Sequence, residues 1–499
     1  MMRLKPHLPP TEYDFPRGEG LSSIPATGDR NKPQSAIWWT KAQVQSERRL
    51  AFEPGMIFLG RLDQKMIGLR DNRHVVTIAG SRGGKSACLL IPNLLLYPGS
   101  VLVIDPKGEL ARETAAHRRE ALGQDVHVLD PWRVSGIDDG LLSTFDPIAE
   151  LHDDPANLID NADLMAEALI VANAKDPHWT DAARALLRAL ILYLALDPAD
   201  SGGSLADLPR IIARIASEQG SDAEDGLLRQ LAAWRDEDEQ RDEALAVIRN
   251  QAEVILGAND KEMASIISTA RTQLVCLESP ALARNLGLSL LRLSHLKAGP
   301  TTIYLCLPAA RLATHGRWLR LIVSLAMAAL ERAETREHSE PVLFILEEFA
   351  ALGYMRALEQ AVAYMAGYGV KLWAVLQDLT QLKRHYKEGW ETFLGNAGII
   401  QAFSVCDLTT CEYLSKRLGE TTFQITNKID VGSDQARSGD LGLRREFKTA
   451  PLLTPDEIAR AFARKSDERG ATRGGATLVL VAGAHPFAVD RVFHKELES

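Results

Sequence analysis

The chain has 499 residues, enough to bury a large core and to form two or three domains rather than one. Its 57 Lys and Arg against 66 Asp and Glu leave a formal charge of -9, which excludes an adhesive polycation and confines nucleic-acid contact to local patches or an inward-facing channel. No window approaches the roughly 20 apolar residues of a membrane-spanning helix, and Cys88, Cys276, Cys306, Cys406 and Cys411 form no CxxC pair, so the expectation is a soluble cytoplasmic protein with reduced thiols.

From Met1 to about Lys41 the chain is rich in Pro, Gly and charge, with Trp38 and Trp39 as its apolar anchor. This reads as a flexible arm over 1–50, either unstructured or laid across a neighbouring subunit or domain. A compact section begins near Ala51 and leads through the strand signal Gly55–Gly60 to the apolar run Val75-Val76-Thr77-Ile78. There follow Ala79-Gly80-Ser81-Arg82-Gly83-Gly84-Lys85-Ser86 and the helical segment opening with Ala87-Cys88-Leu89. Strand, glycine-rich turn and helix in that order read as a phosphate-binding loop, the alternative being a structural loop. Backbone N–H groups of Gly80, Ser81, Arg82, Gly83 and Gly84 wrap phosphates, Lys85 reaches the β- and γ-phosphates, and the Ser86 hydroxyl serves Mg²⁺. Ala79 stands where the usual pattern has Gly, which is tolerable where the backbone needs no positive φ.

The next strand, Ser100–Ile104, ends in Asp105, Pro106 and Lys107; Asp105 and Lys107 are either polar groups at a ligand-binding edge or parts of a turn. From Leu151 to Leu296 the pattern turns helical. Thr180 or Asp181 is the expected N-cap of a helix whose Leu186, Leu187, Leu190, Ile191 and Leu194 share one face, and the acidic stretch Ser217–Glu243 reads as a solvated face or linker. Strand and helix alternation resumes at Thr301 and continues through Val342–Leu346, Val370–Leu376, Gly398–Phe403 and Thr477–Val481. The expected fold is therefore α/β, a mainly parallel sheet covered on both faces and interrupted in sequence by an all-α insertion. The expected division is 1–50 (arm), 51–150 (first part of a nucleotide-binding domain), 151–296 (insertion) and 297–499 (second part).

The strand that ends at Leu346 delivers Glu347 and Glu348, an acid pair fit to organise a metal and polarise water; Glu347 is assigned to the metal and Glu348 to the water. A simple acidic cap after a strand is the alternative. Gln377, after the next strand, either senses a γ-phosphate or closes a turn. Among Lys383, Arg384, His385 and Arg417, Arg384 is the candidate cation for a neighbouring active site, the alternative being solvated surface charge.

In this order the segments resemble type IV secretion coupling proteins of the TraG type, which belong to the RecA-like group of hexameric P-loop ATPases. The likeness runs from Gly55 to Val489 through Gly80–Ser86, Asp105-Pro106-Lys107-Gly108-Glu109, Lys175-Asp176-Pro177 with Trp179, Thr314-His315-Gly316-Arg317-Trp318, Glu348-Phe349 with Ala351-Leu352-Gly353, Gln377, Arg417-Leu418-Gly419 and Pro451-Leu452-Leu453. The resemblance implies a RecA-like P-loop ATPase domain, ATP and Mg²⁺ as cofactors, and a homo-oligomer, a hexamer, with active sites between subunits. It implies delivery of relaxase-bound single-stranded DNA, or of effector protein, to a secretion or conjugation channel, with the helical insertion contributing to substrate recognition. Two departures stand out: Glu347 where the family typically has Asp, and no membrane-spanning helices such as usually open family members. The expected location is thus the cytoplasm, with peripheral recruitment to the inner membrane. Two other functions fit the residues, a nucleotide-gated adaptor with little turnover and a DNA-translocating ATPase outside secretion.

Overall fold

The computed structural model describes residues 36–171, 177–197, 203–218, 226–334, 340–428, 443–465 and 474–497. In chain order the strands are β1 (Ile57–Leu62), β2 (Lys65–Leu69), β3 (His74–Ala79), β4 (Val101–Ile104), β5 (Asp125–Leu129), β6 (Thr301–Leu305), β7 (Val342–Leu346), β8 (Val370–Leu376), β9 (Ala397–Phe403), β10 (Glu420–Lys428), β11 (Leu443–Pro451), β12 (Ala476–Val481) and β13 (Phe487–Asp490). The chain divides into two compact units, one running to Tyr97 and resuming at Val375, the other Pro98–Ala374.

In the Pro98–Ala374 unit the strand order is β8-β7-β4-β6-β5, with every pairing parallel. Every residue of β4, β6, β7 and β8 is buried, which is why these strands read as unbroken apolar runs instead of alternating patterns. Between β5 and β6 the regular structure among the described residues is helical, from Pro147–His152 to His295–Ala298. The longest helix of that stretch, Pro177–Leu196, corrects the expected cap: Thr180 and Asp181 lie inside its first turns, and the Thr180 hydroxyl donates to the Pro177 carbonyl at 2.8 Å. Proline suits the first helical position because its missing N–H has no partner there and its φ is already helical. Leu186, Leu187, Leu190, Ile191 and Leu194 are buried. Within the acidic stretch, residues 219–225 lie outside the described residues, and Leu227–Ala233 forms a helix that buries Leu227, Leu228 and Leu231.

In the other unit the strand order is β2-β1-β13-β12-β9-β3. Only β3 and β9 pair in parallel; β9–β12, β12–β13, β13–β1 and β1–β2 are antiparallel. This antiparallel flank was not expected. β10 and β11 pair separately, in register from Glu420↔Pro451 to Lys428↔Leu443. The expected arm is corrected from residue 36 onward. Thr40 opens the helix Lys41–Ser46 with a capping box, Trp38 and Trp39 are buried, and Trp39 stacks on Phe487 at 6.1 Å while its backbone N–H donates to the Pro486 carbonyl. Two tryptophans bury enough apolar surface to offset the ordering of a short segment. Residues 1–35 lie outside the described residues.

Candidate nucleotide-binding site

β3 ends at Ala79 directly opposite Phe403 of β9, so the backbone at Gly80 meets that at Ser404. A Cβ on Gly80 would lie 2.2 Å from the Ser404 carbonyl oxygen, and one on Gly83 would lie 3.0 Å from the Gly80 carbonyl oxygen and 3.0 Å from the Ser404 Cβ. The loop closes on itself through the Gly83 N–H, which donates to the Gly80 carbonyl at 3.1 Å. Arg82 (φ 57°) and Gly84 (φ 91°) are left-handed, and the second value is one that side-chain-bearing residues rarely adopt. The Cys88 N–H then donates to the Gly84 carbonyl at 2.9 Å and starts the helical segment, wound as a π-helix over Ser86–Leu90 and as an α-helix over Ile91–Leu96. A π turn of this kind is frequent at functional sites. Ser81 and Arg82 are exposed, Ser86 is half-buried, and Lys85 is 9 % exposed. A strand end, a glycine-rich turn and a helix start with a lysine and a serine make a cradle whose donors fit a polyphosphate with a divalent ion.

Two residues that sequence reasoning missed stand behind this loop. Ser404 (φ 53°) packs its carbonyl against Gly80, and its N–H donates to the Phe462 carbonyl at 2.8 Å. Arg491, one residue past β13 and 6 % exposed, donates through Nη1 to the Gly83 carbonyl at 2.9 Å and to the Ser404 hydroxyl at 3.1 Å. An isolated arginine after a short strand carries no motif; the glycine pair Gly474-Gly475, which leaves space for its guanidinium, was the available signal.

The same unit holds Gln377 and Arg384. The Gln377 N–H donates to Gln381 Oε1 at 3.1 Å, just before Asp378 caps the helix Leu379–Tyr386 by accepting from the Gln381 N–H. Arg384 is exposed on the last turn of that helix, whereas its neighbour Lys383 lies over the Trp390 ring at 4.4 Å. Burial and the Arg384 charge hold the His385 imidazole below its ordinary pKa. Arg417, exposed, donates to the Tyr413 hydroxyl at 3.4 Å.

In the Pro98–Ala374 unit the acid pair follows β7. Glu347 is 3 % exposed; Glu348 is half-buried with φ 56° and ψ 46°, left-handed geometry that is uncommon for a glutamate and that clusters at functional sites. The register Ile104↔Leu346 puts Asp105 beside Glu347, on strands about 4.8 Å apart, at the carboxyl edge where open α/β sheets bind ligands. Asp105 is fully buried, and desolvation pushes its carboxyl up to about 6 despite the Ala111 N–H that donates to Oδ2 at 2.8 Å. That bond ties Asp105 to the helix Glu109–Glu120, while Lys107 is exposed.

The strand, glycine turn and helix around Gly80–Ser86, in a chain with a mainly parallel sheet, are those of a RecA-like P-loop fold of the α/β class. The family model described as "Type IV secretory system Conjugative DNA transfer" matches residues 33–496, and the chain belongs to that family. It is similar to the conjugal transfer protein TraG of Escherichia coli, 28 % identical over 429 residues, which cover 83 % of this chain and 65 % of that protein. It is also similar to VirD4 of Agrobacterium fabrum, 29 % identical over 426 residues, 84 % of this chain and 58 % of VirD4. The chain thus spans under two thirds of the length of these two relatives. The fold matches that of the bacterial conjugative coupling protein TrwB in its unbound form, with TM-score 0.61, 16 % identity and 92 % of each chain covered. TrwB bound to the ATP analogue ADPNP gives TM-score 0.62 at 15 % identity, covering 92 % of this chain and 94 % of that one. Among the described residues, no helix is long and apolar enough to cross a membrane.

Proposed function

We propose that this chain is a coupling-type ATPase that uses ATP to recruit and move DNA, or a protein cargo, toward a type IV secretion or conjugation channel. The observation that carries the reading is the loop Gly80–Ser86, with its left-handed Gly84, its closing Gly83-to-Gly80 bond and Lys85 at the helix start. Membership of a conjugative DNA transfer family supports the cargo half of the reading. The loop's N–H groups and Lys85 bind the phosphates of ATP, and Ser86 supplies an oxygen to Mg²⁺, which when bound neutralises charge on the transferring phosphoryl group. Glu347 is the metal-side acid and Glu348 the group that polarises water. Gln377 reads the γ-phosphate, and Arg384 offers its cation to a neighbouring subunit. The working form is a homo-oligomer, a hexamer, that acts in the cytoplasm and is recruited peripherally to the inner membrane. Its partners are relaxase-bound single-stranded DNA or effector protein, and channel components.

One observation favours a second reading, a nucleotide-gated adaptor: Glu347 puts a carboxylate one methylene further out than Asp would, and Mg²⁺ tolerates little error in geometry. Mass in solution, measured with and without a non-hydrolysable ATP analogue beside ATP turnover, tests the proposal. Nucleotide-dependent assembly with turnover supports the motor, assembly without turnover supports the adaptor, and neither response removes both.

A further inference from the structure

Arg491 presents a buried guanidinium whose hydrogen bonds go to neutral acceptors: the Gly83 carbonyl and Ser404 hydroxyl through Nη1, the Ala463 carbonyl through Nη2 at 3.0 Å, and the Gly475 carbonyl through Nε at 3.2 Å. It also lies over the Phe403 ring, 4.8 Å from the centroid. Burial pulls its pKa down to about 10, so it remains a cation at neutral pH. Placing a cation here without a carboxylate is costly unless its donors find acceptors; the two Nη1 bonds go to the turn that follows β3 and to the residue that follows β9, and the Nη2 and Nε bonds go to Ala463 and Gly475. Gly475 (φ +126°) keeps the position open, since a Cβ there would lie 2.0 Å from Nη2.

The peptide between Gly83 and Gly84 is the one this arginine controls. In a trans peptide the C=O of one residue and the N–H of the next point in opposite directions. With the Gly83 carbonyl held by Arg491, the Gly84 N–H is aimed away from Arg491 and Ser404. Two consecutive glycines otherwise make reversal of that peptide cheap, and reversal would present a carbonyl oxygen where a phosphate needs a donor. We propose that Arg491 is a positioning residue for nucleotide binding, locking the Gly83–Gly84 peptide of the phosphate loop in its anion-binding orientation. This rests on the reading of Gly80–Ser86 as a phosphate loop.

The test titrates a fluorescent ADP analogue with Mg²⁺ into the full chain, Arg491→Lys, Arg491→Gln, Lys85→Ala and Arg61→Gln. The last removes the ion pair that Arg61 makes with Glu496 at 3.1 Å. Thermal unfolding and the KM and kcat for ATP are followed alongside. Arg491→Lys keeps the charge but cannot span these acceptors. It is expected to fold and to lose affinity about ten- to hundredfold, as for a charged hydrogen bond removed, with KM moving more than kcat. Arg61→Gln is expected to bind like the parent. A folded Arg491→Lys with parental affinity overturns the proposal, and so does failure of both Arg491 variants to fold, which would make the residue a core brace. Loss of binding in Lys85→Ala alone sinks the Arg491 proposal and keeps the loop reading; a parent chain that binds no nucleotide sinks both.

Discussion

Replacing Gly80 by Ala tests the closeness of β3 and β9 at the loop. The new methyl would lie 2.2 Å from the Ser404 carbonyl oxygen, a backbone atom. Cβ atoms essentially never approach another heavy atom within 3.0 Å, so the two strand ends must part by about 0.8 Å or the loop must tilt. Ser404 cannot yield freely, because its N–H is held by Phe462 and its hydroxyl by Arg491. Overpacking of this kind costs about 1–3 kcal/mol. If the loop absorbs the strain, affinity for Mg-ATP falls about 5- to 150-fold. Calorimetric titration with a non-hydrolysable ATP analogue, paired with thermal unfolding, reads both quantities. Gly395→Ala, where nothing lies within 4 Å, is the matched control and is expected to leave both unchanged or slightly improved. Parental affinity together with a parental unfolding midpoint in Gly80→Ala would refute the packing argument.

Three further outcomes are expected. Glu347→Asp should leave ATP turnover unchanged or lower it if Glu347 already serves the metal; a large gain in a steady-state assay would favour the adaptor. Burial pushes Glu150 up to about 7, although its Oε1 accepts from the Leu293 N–H at 2.9 Å. The folded chain therefore holds this proton more tightly than the unfolded one, and stability is lost as pH rises from about 4.5 through 7. Glu150→Gln keeps an acceptor without the charge, so its stability relative to the parent should rise by on the order of 1–3 kcal/mol between pH 5 and pH 8, measured by urea unfolding. Gly108→Ala should destabilise the Pro98–Ala374 unit and lower the unfolding midpoint, because Gly108 has φ +64° and its Cβ would fall 2.4 Å from backbone atoms of Ser135.

The strand–turn–helix around the proposed phosphate loop was legible because its signals are local: Gly80 through Ser86 are consecutive, and the apolar strand before them and the helix after them announce themselves by composition. The parallel strands were legible for the same reason, since burial on both faces leaves unbroken apolar runs such as Val342–Leu346. What escaped was set by distant partners. Arg491 meets Gly83 across 408 positions, and nothing near either residue marks the other. The antiparallel β12 and β13 are short strands whose neighbours are chosen by the sheet as a whole. Glu348 could be named as an acid, but its left-handed backbone could not be read from its identity. Lys383 and Arg384 look alike in sequence and differ because Trp390 sits under one of them.

The measurement that bears most directly on the central claim is steady-state ATP hydrolysis by the full chain and by Lys85→Ala, each with and without single-stranded DNA. The account predicts Mg²⁺-dependent turnover that DNA stimulates and that Lys85→Ala abolishes. Full activity in Lys85→Ala, or tight ATP binding by the parent with no turnover under any condition, would contradict it.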